Sequence, residues 1–388
     1  MMVKGQKRSR LINQFKSIFN CEADCFSFAP GRINLIGEHT DYNMGYVYPA
    51  AIDKYMGFAF KKNESANGHI HALDLQQSIS FDLKELIPSE YLWGNYLIGN
   101  LKELQKKGIQ LSGFDCVFSS EIPMGSGMSS SAALECAFLI GVDKLFDLGL
   151  KNWDIVHNSH ASNHNFLKIK SGILDQFASV FGKKDQAILL NCKDRSYQYS
   201  ILVFEELQFV LVNSNVKHSH IESGYNDRTR ECAEALAAIK AEFPQVENLS
   251  EVSLEQHQIV WNKTDNSPAK RARFILEENK RAISFFNSLN QADFQSCGQL
   301  LYESHTGLKD LYEVSCPEID FLVDLTKPLA EVLGSRIMGG GFGGCTLNLI
   351  QKDALPKFKI MIKENYQSAY GIDPEIYEVN VAEGAYAE

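Results

Sequence analysis

At 388 residues the chain is long enough for two or three domains with cores of their own, and its 45% hydrophobic and 22% charged content is that of a folded globular protein. A net charge of −10 argues against a general nucleic-acid or membrane-surface binder, and no apolar run reaches bilayer-spanning length. Nine cysteines without paired metal-ligand spacing read as reduced thiols in a cytoplasmic protein.

Residues 4–10 are basic and acid-poor but lack the apolar core of a secretory signal. Leu11, Ile12, Phe15, Ile18 and Phe19 then fall at helical spacing and predict an amphipathic first helix. Phe26–Ala29 reads as a short strand. After it, residues 30–42 gather Arg32, Asn34, Glu38, His39, Asp41 and Tyr42 around Gly31 and Gly37. A solvated loop could carry such a set. Ile33, Leu35 and Ile36 instead pull it inward, where polar groups need partners and a polyhydroxy ligand supplies many. Residues 47–52, 55–60 and 69–73 have strand composition, with His69 and His71 as strand-face residues.

Residues 93–106 predict a helix and 114–118 a strand, which leads into Gly125, Ser126 and Gly127, then Ser129, Ser130 and Ser131, then a strong helix pattern from Ala132. Two readings stand here. One is a Ser-capped helix after a glycine turn. The other is a phosphate site, where unpaired N–H groups and a positive dipole end meet an anion. No Gly-Lys-Ser/Thr closes the loop, so it is not the common P-loop.

Residues 154–167 read as helix. Residues 172–181 read as an apolar helix with one acid, Asp175, in its first turn, either a dipole-complementing charge or a functional carboxylate held ionised by an arginine such as Arg32. Further strands are expected at 187–190, 197–203 and 209–213, and helices at 225–240 and 269–289, with polar, irregular connections over 244–268. Residues 338–345 satisfy G-x-G-x-x-G, but a strand-like run follows where a dinucleotide fold needs a helix. Five glycines in six positions suggest backbone brought close to another loop or a ligand.

Three stretches together resemble the galactokinases of the GHMP kinase family: Gly31–Tyr42, Pro123–Ala133 and Met338–Cys345. Shorter similarities at 172–176, 213–218 and 312–317 extend the resemblance from about residue 20 to near the end. It implies an α+β fold of two domains, residues 1–203 and 204–388, the second ferredoxin-like, with the active site in the cleft between. It implies transfer of phosphate from ATP to α-D-galactose, with magnesium, in a cytoplasmic enzyme expected to be monomeric. Asp175 would be the catalytic carboxylate, as base or orienter, with Arg32 beside it. Glu38, His39, Asp41, Gly172 and Tyr225 would contact the sugar. Gly125, Ser126, Gly127, Ser129, Ser130 and Ser131 would cradle the nucleotide, with Ser131 near the metal.

The chain departs from the family pattern at three places. Asn163 stands where the family has a magnesium-binding Glu, Met44 where a Gly often stands, and Ser219–Glu222 where an apolar-small run is usual. An active galactokinase is the leading expectation. A kinase for another hexose or amino sugar, and a non-catalytic sugar and ATP sensor, are the alternatives.

Overall fold

A computed structural model describes residues 2–123, 125–216, 221–262 and 264–388, without the side chains of 2–7 and 221–223. In the first half, helix α1 (Met2–Phe19) precedes strands β1 (Cys25–Asn34), β2 (Tyr46–Val47), β3 (Pro49–Lys62), β4 (Asn67–Ala72) and β5 (Gln77–Asp82). Then come α2 (Leu92–Lys106), β6 (Phe114–Ser120), α3 (Ser130–Phe146), α4 (Asn152–Ser162), α5 (Leu174–Phe181), β7 (Gln186–Asn191) and β8 (Tyr197–Ile201). The second half runs β9 (Leu207–Asn213), α6 (Ile221–Glu242), α7 (Leu254–Trp261), α8 (Ser267–Asn290), α9 (Phe294–Asp310), α10 (Pro317–Thr326), β10 (Val332–Met338), β11 (Cys345–Gln351), α11 (Leu355–Tyr370), β12 (Glu375–Glu378) and β13 (Tyr386–Ala387).

The first half supplies a small sheet, β2-β7-β8, and five strands of a six-stranded sheet, β13-β1-β3-β6-β4-β5, to which β13 of the second half adds the edge beside β1. The second half carries an antiparallel sheet, β10-β11-β9-β12. Its strands and crossing helices follow the βαββαβ order of a ferredoxin-like domain. Ile33, Leu35 and Val47 share one apolar cluster with Phe285, Leu289 and Leu347, so the halves are joined by core as well as by surface.

Ile33, Leu35 and Ile36 are fully buried, as their hydrophobicity requires. β1 runs on to Asn34 with every residue buried, so the first part of the 30–42 stretch is strand rather than loop. The register of β1 against β3 slips between Pro30 and Arg32. Such a bulge re-aims a side chain, and Gly31 permits it: a Cβ there would lie 2.7 Å from the Met128 carbonyl. The helix expected from residue 172 begins at Leu174, which leaves Gly172 in the preceding loop. The helix expected through Leu167 ends at Ser162 and widens into a single π turn, Asn163–Leu167. Residues 244–268 are more regular than expected, because they contain α7, capped by the Ser253 hydroxyl on the Gln256 amide.

Candidate active site

One cavity of about 370 Å3, within the range of small-molecule sites, collects most of the residues singled out from sequence. Arg32, Glu38, His39 and Asp41 line it from the first motif, Ser131 from α3, Asn163 from the π turn, Gly172 and Asp175 from the α5 entry, and Tyr225 from α6. Gly339 and Gly340 of the third glycine stretch close it. Gly125, Ser126, Gly127, Ser129 and Ser130 lie outside its lining. Met44 is exposed, with its carbonyl accepting from Ser250, and does not line the cavity. Lys217 and His218, and the departure at Ser219–Glu222, fall outside the described residues or side chains.

The acid at the α5 N-terminus is paired. Arg32 donates to Asp175 Oδ1 from Nε at 2.8 Å and lies 2.6 Å away at Nη2, while its Nη1 donates to the Gly127 carbonyl. The same guanidinium thus ties the carboxylate to the glycine-serine loop. In that loop Gly125, Gly127 and Ser129 all take left-handed φ values, of 72°, 71° and 59°. Ser129 occupies the N-cap position of α3, but its side chain makes no capping hydrogen bond. The first amides of α3 therefore meet no side-chain cap from Ser129, which suits an anion. Ser126 is buried and donates to the Pro123 carbonyl, so its hydroxyl shapes the loop rather than reaching a ligand.

The other end of the cavity is polar and held from outside. Glu38 accepts from the Gly339 amide at 2.8 Å and pairs with Arg336 at 3.0 Å. Arg336 is fully buried and also donates to the Asn34 and Leu35 carbonyls, fixing the first motif to β10. From α8, Glu278 accepts from the Gly37 amide and Asn279 from the Tyr46 amide. His39 Nδ1 bonds the Tyr42 hydroxyl, which continues to Tyr312. His39 Nε2 is buried with no hydrogen-bond partner among the described residues. Burial, with Arg228 and Arg336 nearby, lowers the His39 pKa to about 3, so the ring is neutral. Asp41 packs against Gly172, where any side chain would collide with its carboxylate, and accepts from the Leu174 amide. Burial pushes Asp41 up to about 7, with Asp175 and Glu38 adding to the shift.

Asn163 lies on the cavity wall, where its Nδ2 donates to Glu135 and its Oδ1 is buried without a partner. Burial raises Glu135 to about 8, against three amide donors that pull it down. Sequence reading missed Glu135, Glu278 and Arg336. Each acts through a partner far away in the chain, and only the burial of a charge within an apolar run could have marked them.

Residues 13–62 match the galactokinase galactose-binding signature, residues 95–183 the GHMP kinase N-terminal domain, and residues 285–367 the GHMP kinase C-terminal domain. A galactokinase of Thermotoga petrophila is 38% identical over 360 residues, covering 92% of this chain and 98% of the relative. The chain belongs to the galactokinase family. A Clostridium beijerinckii galactokinase is 35% identical, covering 96% of this chain and 97% of its own. The crystal structure of Lactococcus lactis galactokinase complexed with galactose superimposes with a TM-score of 0.93 at 33% identity, over 97% of this chain and 98% of that one. The fold extends beyond galactokinases: Methanococcus jannaschii mevalonate kinase, 18% identical, matches with a TM-score of 0.62 over 92% of this chain and 98% of its own. As a galactokinase-family member the chain is a phosphotransferase that uses ATP. No helix among the described residues is long and apolar enough to cross a membrane.

Proposed function

We infer that the chain transfers the γ-phosphoryl group of ATP to the anomeric hydroxyl of α-D-galactose, giving α-D-galactose 1-phosphate and ADP. The observation that carries this reading is the Arg32–Asp175 pair. It faces the same cavity as the sugar-type acceptors Glu38, His39 and Asp41 and touches the loop that opens α3. Phosphoryl transfer passes through a loose transition state, so positioning and charge neutralisation do most of the work. Asp175 orients the attacking hydroxyl and accepts its proton as the new O–P bond forms and the bond to ADP breaks. Arg32 keeps the carboxylate in place and draws the Gly127 end of the nucleotide loop to the same point. His39 Nε2, buried and partnerless, is a ready hydrogen-bonding atom for a sugar hydroxyl.

Magnesium fits this site. Ser131, Asn163 and Asp175 offer only oxygen, the donor a hard cation takes, and Asn163 Oδ1 lacks any other partner. Ser131, Asn163 and Asp175 would hold the ion, and nucleotide phosphates and water would complete its ligand set. When bound, magnesium neutralises charge on the β- and γ-phosphates. All nine cysteines are free thiols, in keeping with a cytoplasmic location.

A coupled ADP-release assay over galactose, glucose and galactosamine tests the reading. Galactose is expected to give the highest kcat/KM. A chain that turned over only another sugar, or none, would not be the enzyme described here.

A further inference from the structure

Behind the cavity wall lies a polar cluster centred on Glu135, a residue that the reaction as written does not use. Glu135 stands four residues after Ser131 on α3, so the two share one helix face. Its carboxylate is fully buried. Asn100 Nδ2 donates to Oε1 at 3.0 Å, and Asn163 Nδ2 and Gln176 Nε2 donate to Oε2 at 3.3 and 3.2 Å. Asn100 is itself held by Asn158, whose Oδ1 accepts from Lys107 at 3.0 Å. The acid thus accepts three amide donors.

Each of the two amides nearest the cavity keeps an oxygen in hand. Asn163 Oδ1 and Gln176 Oε1 are both buried and both without a hydrogen-bond partner among the described residues. Their residues are 5% and 3% exposed, and both line the cavity beside Ser131 and Asp175. A buried amide oxygen left unpaired costs free energy comparable to a lost hydrogen bond, so two together call for a hydrogen-bond donor or a cation, and one cation can satisfy both. A side-chain amide whose NH2 is engaged on one side must present its oxygen on the other. Glu135 engages both.

We propose that Glu135 is a positioning residue for the cation. By drawing the Asn163 and Gln176 NH2 groups to itself, it presents their two carbonyl oxygens to the magnesium that accompanies the nucleotide. The pair of neutral oxygens occupies the wall where a carboxylate at position 163 would stand in other family members. Gln176 directly follows Asp175 on α5, so the same contact anchors the helix turn that carries the reactive acid. This inference rests on the kinase reading above, since a nucleotide must bring the metal.

The test uses Mn2+ in place of magnesium, with ADP, followed by electron paramagnetic resonance of the free ion. Glu135→Gln keeps the shape but must turn one amide around. It is expected to weaken Mn2+ binding in the ADP complex by about 10–100-fold, the usual effect of removing an outer-shell partner. Galactose affinity, measured by calorimetry on the same protein, is expected to stay within about twofold. Should Glu135→Gln not fold, Gln176→Met removes one presented oxygen and is expected to weaken Mn2+ by about tenfold. Unchanged Mn2+ affinity in the folded variant overturns the proposal, as does an equal loss of Mn2+ and galactose binding, which marks a merely structural role. A wild-type chain that phosphorylates no sugar sinks the proposed function, while Mn2+–ADP binding in the variants still decides this point.

Discussion

Arg32 grips Asp175 by one oxygen only: both Nε and Nη2 converge on Oδ1, at 2.8 and 2.6 Å. Oδ2 accepts no hydrogen bond from the described residues, and the side chain is 36% exposed toward the cavity. One oxygen is therefore structural and the other is available to a substrate hydroxyl. Asp175→Asn keeps the first function in weakened form and removes the second. It is expected to fold and to bind galactose, with kcat reduced by about 10²–10⁴-fold. A purified Asn variant within tenfold of wild type would remove Asp175 from the reaction.

Asp41 should make galactose binding pH-dependent. Its folded-state pKa of about 7 lies above the ordinary 3.8. The native protein therefore holds a proton there that the unfolded chain has lost, and Asp41's contribution to stability declines as pH rises from about 4 to 7. Sugar hydroxyls donating to this carboxylate favour its ionised form. Galactose affinity is expected to fall as pH drops below about 7, with proton release on binding. Calorimetry in buffers of different ionisation enthalpy reads that release directly. Asp41→Asn should bind galactose more weakly but with a flat profile, and a profile as steep as wild type would assign the proton to another group.

Asn163→Glu would replace an amide donor to Glu135 with a second acid, because Asn163 Nδ2 lies 3.3 Å from Glu135 Oε2, and it would raise further a carboxyl pKa that burial already lifts to about 8. Without magnesium the variant is expected to melt below wild type. Magnesium with ADP should recover that loss and raise its melting temperature by more than it raises wild type's. The magnesium concentration for half-maximal rate at saturating ATP should also fall. An identical magnesium response in the two proteins would place position 163 away from the cation.

Arg336 is fully buried and serves Glu38, the Asn34 and Leu35 carbonyls, and its own neighbour's carbonyl at Ile337. Removing one member of a buried ion pair leaves the other uncompensated. Arg336→Met is expected to cost about 3–5 kcal/mol of stability, read as a shift in the denaturant midpoint, and to weaken galactose binding through Glu38. A variant of wild-type stability would mean that Glu38 finds another partner or takes a proton.

The first motif shows what sequence makes legible. Apolar residues at Ile33, Leu35 and Ile36 among Arg32, Glu38, His39 and Asp41 already require polar groups to turn inward, and they do. Likewise the strand-like run after Gly344 ruled out a dinucleotide fold, and β11 stands there. The pairing of Arg32 with Asp175 spans 143 residues and follows from a bulge at Gly31, which no local pattern announces. Arg336 stands between Ser335 and Ile337 on β10, a setting that fits a solvent-facing residue equally well, and its burial is set by residues three hundred positions earlier. Helix α7 was hidden because it is short and leaves Leu254 and Ile259 exposed, so its apolar residues do not form one stripe. The ferredoxin-like order of the second half came from resemblance to the family, not from periodicity.

The third glycine stretch leans on the nucleotide loop backbone to backbone. A Cβ on Gly127 would meet the Met338 carbonyl at 3.3 Å, and one on Gly339 the Gly127 carbonyl at 3.4 Å. These two loops leave the ribosome far apart in time. At about 5–20 residues per second, about 10–40 s separate the synthesis of Gly127 from that of Gly339. Throughout that interval the nascent nucleotide loop has its own helix but not its brace, and Glu38 has neither Arg336 nor the Gly339 amide. Nucleotide and sugar therefore cannot act as templates for the emerging first half. Their help to folding begins only when β10 and the glycines after it have docked, so ligand rescue of a destabilised variant belongs to the finished chain and not to the one still being made.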